Sequence, residues 1–434
     1  MTALDVKTER THESAMAALF AEARANLPSP AWLQPLRAEA LARVSRDGLP
    51  HRRVEAWKYT DLRNKLSTDL TIATGAGTPP PSLFEGIGAH RIDINGGKVT
   101  ASPRGDELPD GLEVISLAEA LKTPAAWLRQ WFEPGSDALQ NLNLAFATDG
   151  ALIRVGRGLQ LDRPVLIRST LVEAGVISNT RSVVYLEEGA ELTLIELDDG
   201  ATEAQSLANA MTSIVLEPGA RLNHLRVTAS AGAGVVVRNH DLDLARDAAY
   251  EGVVLSSGAA LARQQMSVRL TGQGADFNLA CAYATGEGEH ADYTLEISHD
   301  APNTKSRLLA KGVASGNGHA AVQGRVIVKP EAQKTDSHQM SRALLLSPHA
   351  EIDQKPELEI FADDVKCGHG AAIGAVDPNQ MFYLRARGIP EVQARNMLVA
   401  AFLGEVTERV PGIFRSAVDA WLTARMATVG AAPQ

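Results

Sequence analysis

Cys367 and His369 stand one residue apart in Ala362-Asp363-Asp364-Val365-Lys366-Cys367-Gly368-His369-Gly370-Ala371. In an extended segment, residues i and i+2 point to the same face, so the thiol and the imidazole can reach one metal ion or one sulfur atom together. Thiolate and imidazole suit iron, zinc and copper far better than magnesium or calcium. Gly368 and Gly370 remove side-chain bulk beside the pair and let another backbone come close. Two ligands do not close a site. Structural zinc takes four, and iron–sulfur clusters are usually held by four cysteines. The chain has 2 cysteines, the other being Cys281, so a metal or cluster held at Cys367 and His369 needs ligands from elsewhere in the fold or from a partner. Taken alone, the same residues also fit a tight glycine-rich turn capping the last coil, with the thiol as small apolar filler.

Other candidates are weaker. Lys334, Asp336 and His338 alternate along Gln333 to Gln339, a pattern of a solvated strand edge or of a polar lining near the Cys367–His369 pair. Asp363 and Asp364 offer oxygen ligands for a cation, or simply end a charged loop. Arg53, Glu55, Trp57, Lys58 and Tyr59 mix aromatics with charges, as half-buried packing or docking motifs do. Cys281, in Phe277-Asn278-Leu279-Ala280-Cys281-Ala282-Tyr283, reads as a buried strand residue. The sequence contains no Gly-x-x-x-x-Gly-Lys-Ser/Thr, no Gly-x-Ser-x-Gly and no His-Glu-x-x-His, which argues against ATP hydrolysis by this chain itself. Gly312 to Gly318 is glycine-rich but lacks the βαβ context of a dinucleotide fingerprint.

The elements that must position these residues fall into three regions: 1–149, 150–376 and 377–434. In the first, Met16, Leu19, Phe20, Ala23 and Leu27 trace one helix face, ended by Pro28. Pro30 suits the first turn of a second helix marked by Leu33, Leu36, Ala40 and Val44. Gly75 to Pro81 is a linker, followed by strand-like runs at His90 to Ile94 and Leu112 to Ile115. Ser116, with Glu119 three residues on, predicts a helix opening toward Trp131. From about Gly150 short alternating or apolar runs recur between turn residues, as an all-β region requires. Gly189, Gly219, Gly258 and Gly274 each open a Gly-Ala-x-apolar turn into a strand, and His349-Ala350-Glu351-Ile352 resembles a fifth member. A turn and strand recurring coil after coil predicts a β-helix rather than a sandwich. After Asp377 the helical period returns. Ala394, Leu398, Ala401, Phe402 and Val406 mark one helix, and Phe414, Ala417, Val418, Trp421, Leu422 and Arg425 the next, joined by Pro411 and Gly412 as a helical hairpin.

Composition bounds the function. A chain of 434 residues with 45% hydrophobic and 22% charged residues is globular in type. A formal net charge of −10 argues against nucleic-acid binding. No apolar run approaches the length of a membrane span. Met1 to Glu13 is polar with no secretory apolar stretch, and two cysteines make no disulfide framework, so a reducing cytoplasm is expected.

Several stretches carry a resemblance. Lys355 to Ile360 leads into the Asp363-Asp364-Val365-Lys366-Cys367-Gly368-His369 motif. Ala332 to Gln339 precedes it and Phe382 to Ile389 follows. In this order and spacing they resemble the SufB/SufD family, the scaffold proteins of SUF iron–sulfur cluster assembly. Arg53-Val54-Glu55-Ala56-Trp57-Lys58-Tyr59-Thr60 and the Asp-Val-Lys-Cys form of the motif resemble the SufD branch. The family more often has Ser and Thr where this chain has Gly368 and Ala372. The resemblance implies a mainly β fold, a right-handed parallel β-helix core flanked by an N-terminal α/β region and the C-terminal helices. It also implies a non-catalytic subunit that pairs with SufB and recruits the ATPase SufC through residues 377–428, with a homodimer as the alternative assembly of this chain in isolation. Cys367 and His369 are then the metal-handling residues. No cofactor is held tightly by this chain alone, and iron or a nascent cluster is shared transiently with SufB. Two rivals are a polysaccharide-cleaving β-helix enzyme, which would need a secretory signal and an aromatic groove, and a cluster-holding subunit of the SufB type.

Overall fold

The structure, a computed structural model, describes residues 11–123 and 126–429. Its centre is a parallel β-solenoid made of two facing sheets of ten strands each. Consecutive strands alternate between the sheets, so each coil contributes one strand to either side. Residue-for-residue register is kept over long stretches, as between Asp276–Thr285 and Lys305–Ala314, or His290–His299 and His319–Val328. Parallel strands covered on both faces need apolar residues in both directions, and the sequence supplies them. In the strand Arg221–Thr228, Leu222 joins the cluster between the sheets while Leu225 and Val227 face outward.

The outer faces are covered by helices. His12–Ala23, Gln34–Asp47 and Ala138–Phe146 pack over one sheet, where Leu33, Val44, Trp57, Leu142 and Phe146 meet Ile177, Val235 and Leu261. Over the other sheet lie Glu391–Thr407 and Gly412–Val429, with Val399, Leu403, Phe414 and Val418 on Leu225, Val253 and Leu255.

One end of the solenoid is closed by antiparallel strands. Leu112–Ser116 pairs with Ala151–Val155, and Lys98–Ala101 folds back on His90–Asn95, which itself pairs in parallel with Val165–Thr170. At the other end Glu351–Ile360 and Lys366–Gly374 are the last strands of their sheets, with no further strand beside either among the described residues.

The turns explain the repeat. One corner is a stack of left-handed residues: Gly158, Gly189, Gly219, Asp247, Gly274, Asn303 and Lys334 all have φ between 56° and 78°. Each donates its backbone N–H to the corner of the next coil, as Gly189 does to Pro218 and Lys334 to Asp364. The period runs from 27 residues (Asp247 to Gly274) to 31 (Gly158 to Gly189). Gly258, expected in this set, sits at a different corner, before the strand Ala259–Leu270. His349 also belongs to that other side, between Asp336–Leu345 and Glu351–Ile360. Asp247, Asn303 and Lys334 hid the regular period because they occupy the glycine place without being glycine.

Other expectations shift locally. The second helix starts at Gln34, because Pro30 forms a turn with Leu33 first and Pro35 takes the opening helical turn. The helix after Ser116 spans only Leu117–Ala120, although Ser116 caps it at Glu119 as expected. The C-terminal region has three helices rather than a hairpin, since Pro378–Ala386 is also helical, capped by Asp377. In Glu391–Thr407 the buried face is Ala394, Val399, Leu403 and Val406, while Ala401 is exposed. The strands run longer than the apolar pattern indicated, up to Ala201–Leu216, because buried polar residues such as Thr212, His224 and His240 interrupt the apolar run without ending the strand.

Candidate functional site

Cys367 and His369 lie in the terminal strand Lys366–Gly374, opposite Ser337 and Gln339 of the strand Asp336–Leu345. Ser337 and Gln339 are buried, facing between the sheets, so by register Cys367 and His369 share that inward face at the open end. The thiol is half-buried and packs against the central cluster; the imidazole is exposed because no further coil covers it. The glycines serve the other face. A Cβ at Gly370 would meet the Met340 side chain at 2.9 Å, and one at Gly368 would touch His338 at 3.6 Å. The expected pairing on one face is therefore present, on a strand rather than in a turn.

Burial pushes the Cys367 thiol up, with Asp336 adding to the rise and the Ser337 backbone partly offsetting it. The resting thiol therefore stays protonated, and a cation must draw that proton off before sulfur can act as ligand or nucleophile. A thiol and an imidazole suit a first-row cation such as iron, but the donor set is incomplete. Among the described residues, Cys367 and His369 join no group of three His, Cys, Asp or Glu ligand atoms within 4.8 Å of one another. His338 is turned to Asp336 on the opposite face, Nδ1 to Oδ1 at 3.1 Å. Asp336 is held below the usual carboxylate range, chiefly by its bond to Arg307. Asp364 pairs with Lys334, and Asp363 is exposed. Beside the terminal strand runs an open groove of about 480 Å³ lined by Arg307, His338, Arg342, His369, Glu405 and Arg409, which joins the site to the C-terminal helices.

Cys281 is placed as expected, buried between the sheets with its thiol pushed up to about 12 by burial. The Arg53–Tyr59 segment is a packing motif. Trp57 is buried, with the Arg263 guanidinium 3.9 Å above its ring, and Glu55 pairs with Lys355. Gly312 is needed for packing as well, since a Cβ there would lie 1.9 Å from the Tyr283 ring.

Sequence reasoning missed a polar network inside the solenoid. Glu196 Oε2 lies 3.1 Å from His224 Nε2 and 2.5 Å from His240 Nε2, while Thr212 donates to Oε1 at 2.8 Å. Arg226 reaches His240 Nδ1 at 2.7 Å, and Tyr250 reaches His224 Nδ1 at 3.1 Å. Burial, then the Arg226 charge, lowers His240 to about 3, so it stays neutral. These residues are far apart in sequence and share only the inward strand parity, a signal visible once the strands are in register.

Two family models match the chain: the SufBD core domain of SUF system FeS cluster assembly over residues 169–402, and the SufBD protein N-terminal region over 10–80 and 88–167. The iron–sulfur cluster assembly protein SufD of Escherichia coli is 30% identical over 380 residues, covering 86% of this chain and 88% of the relative. A SufBD family iron–sulfur cluster assembly protein of Synechocystis is 28% identical over 385 residues, 84% of either chain. Protein ABCI7, chloroplastic, of Arabidopsis thaliana is 29% identical over 416 residues, 92% of this chain and 86% of the relative.

Proposed function

The chain belongs to the SufB/SufD family of iron–sulfur cluster assembly proteins, and from that premise we propose that it is the SufD-type subunit of a complex with SufB and the ATPase SufC, working in the cytoplasm. It is a scaffold-type accessory protein of cluster assembly, most like SufD, and the polysaccharide-cleaving alternative is set aside by that relation. No helix among the described residues is long and apolar enough to cross a membrane.

The observation that carries the detail is the incomplete site on an unpaired edge. Lys366–Gly374 offers a row of free backbone donors and acceptors, with few charges and three glycines. Such an edge is a template for pairing with another chain. The neighbouring edge Glu351–Ile360 is guarded by Pro356 and alternating charges, which disfavour promiscuous pairing. Around the opening, Ile360, Phe361 and Ile373 are exposed apolar residues. A SufB chain on this end covers that surface and supplies the missing ligands, so iron or a nascent cluster is held between subunits as cargo. Without SufB, the same edge is open to a second copy of this chain. Its own residues then act simply: Cys367 gives up its proton as the cation arrives, His369 offers a ring nitrogen, and the partner strand excludes water.

Co-expression with SufB and SufC tests this. The His369→Ala complex should assemble normally by gel filtration yet carry less iron and sulfide than wild type, with Cys367→Ala behaving alike. Wild-type iron and sulfide in both complexes would show that the pair is structural.

A further inference from the structure

Two groups of three potential metal ligands come within 4.8 Å among the described residues, Glu196 with His224 and His240, and His319 with Glu351 and Asp353. Chemistry separates them. A guanidinium only donates, so Arg226 on His240 Nδ1 makes that nitrogen the acceptor and leaves the ring proton on Nε2, where it is given to Glu196. A cation would need the Nε2 lone pair and would sit beside the Arg226 charge. That group is a hydrogen-bond network.

The second group has no such obstacle. His319 and Glu351 open adjacent strands and stand opposite each other in register, with Asp353 two residues further on the same outer face. His319 Nε2 lies 2.9 Å from Asp353 Oδ2, and Glu351 is exposed, so the cluster opens to solvent. Among the described residues no arginine or lysine pairs with Glu351 or Asp353. A second imidazole lies directly behind: His290, opposite His319 on the preceding coil, is 5% exposed and its ring centre is 4.2 Å from that of His319. Thr60 gives its one proton to Asp292 at 2.5 Å, so at 3.3 Å it must accept from His290 Nε2. The His290 Nδ1 lone pair is then left over, with no described group donating to it.

We propose that His319, Glu351 and Asp353 form a binding site for a first-row divalent cation, with His319 Nε2 and the two carboxylates as ligands. One imidazole and two carboxylates suit Fe²⁺, Co²⁺ or Zn²⁺ and disfavour Cu⁺, which seeks sulfur. On binding, the metal replaces the proton between His319 Nε2 and Asp353 Oδ2, and that proton moves to Nδ1 of the same ring. Three protein ligands leave open coordination positions, as an exchangeable site requires. All three ligands belong to one chain, so the site needs no ligand from a partner, although Glu351 and Asp353 stand on the terminal strand beside the interface proposed above.

The test uses the full chain carrying Cys367→Ala and His369→Ala, stripped with chelator and titrated with Co²⁺, followed by its visible absorption and by competition with Zn²⁺ and anaerobic Fe²⁺. One Co²⁺ should bind per chain and raise the melting temperature. His319→Gln, Asp353→Asn and Glu351→Gln should each weaken binding at least about tenfold, since even outer-shell changes cost that much at metal sites. Glu351 is exposed, so its variant keeps the test decisive if another misfolds. Failure of the stripped chain to take up Co²⁺, or uptake unchanged in Glu351→Gln and in every other variant that folds, would overturn the assignment.

Discussion

His240, His290 and His299 are buried imidazoles held neutral, pushed down to about 3, 3 and 4. Burial is the first cause in each case. For His299 the fixed partners are Thr304 on Nδ1 at 2.7 Å and Ser306 on Nε2 at 2.9 Å, both able to serve a neutral ring. In the unfolded chain these rings titrate near 6.5, so below that pH the unfolded state binds more protons than the folded one. Their stabilising contribution is full above about pH 6.5 and is lost as the pH falls toward the folded values, at up to about 1.4 kcal/mol per histidine per pH unit. Glu196, held well below its ordinary value because the two histidines it faces outweigh its burial, changes stability in the same direction at lower pH. The urea midpoint should therefore fall steadily from pH 7 to pH 5, and His299→Gln should flatten that fall. An unchanged midpoint across this range would mean the rings take up protons in the fold as readily as in the unfolded chain. None of this was visible in sequence. A histidine in a strand declares its chemistry only when its face and its neighbours across the coil are known, whereas Cys367 and His369 could be paired from spacing alone because both lie on one strand.

At the scale of the turn and the strand, the corner stack makes a sharper prediction than the glycine pattern alone. Gly189 and Gly219 need their positive φ, but a Cβ at either meets only another glycine's Cα, at 3.9 Å and 4.0 Å. Gly189→Val and Gly219→Val should each cost about 1–3 kcal/mol from backbone strain, read as a lower melting temperature. Gly258→Val should cost more, because there a Cβ would also stand 2.5 Å from the Ser230 carbonyl oxygen. Equal losses at all three would place the cost in φ alone. The β-solenoid itself was legible, since turn-strand repetition without helical period over some two hundred residues has few other solutions. Its regularity was not, because Asp, Asn and Lys can occupy a left-handed corner when the next coil accepts the backbone N–H. The helix stripes were legible as to existence. In Glu391–Thr407 the stripe was read slightly rotated: Ala394 and Val406 are buried and Phe402 packs partly buried on the cluster beneath, with the Lys311 ammonium 4.6 Å from its ring, but Ala401 is exposed and Val399 and Leu403 take the inward places.

Across the whole molecule, the solenoid has two unlike surfaces: an open end carrying Cys367 and His369, and the C-terminal helices on the outside of one sheet. Removing those helices is a poor test of SufC recruitment. Val399, Leu403, Phe414 and Val418 cover Leu225, Val253 and Leu255, so truncation would bare the sheet and confound lost binding with lost stability. The face turned away from the sheet is the informative one. In Pro378–Ala386, Phe382 is 74% exposed and Tyr383 is 54% exposed, and Val392, Met397 and Ile413 are exposed on the following two helices. Five large apolar side chains open to solvent on one helical unit exceed what a solvated surface needs, and aromatic anchors of this kind carry most of the energy of a docked interface. Replacing Phe382 and Tyr383 with Ser removes no contact with the central cluster, so the melting temperature should stay close to wild type. Co-purification of SufC from cells expressing all three subunits should then be lost, while SufB, proposed to dock on the open end, stays bound. Retention of SufC by the double variant would move its docking site off this helical face. Loss of SufB along with SufC would mean that the two surfaces are coupled rather than separate.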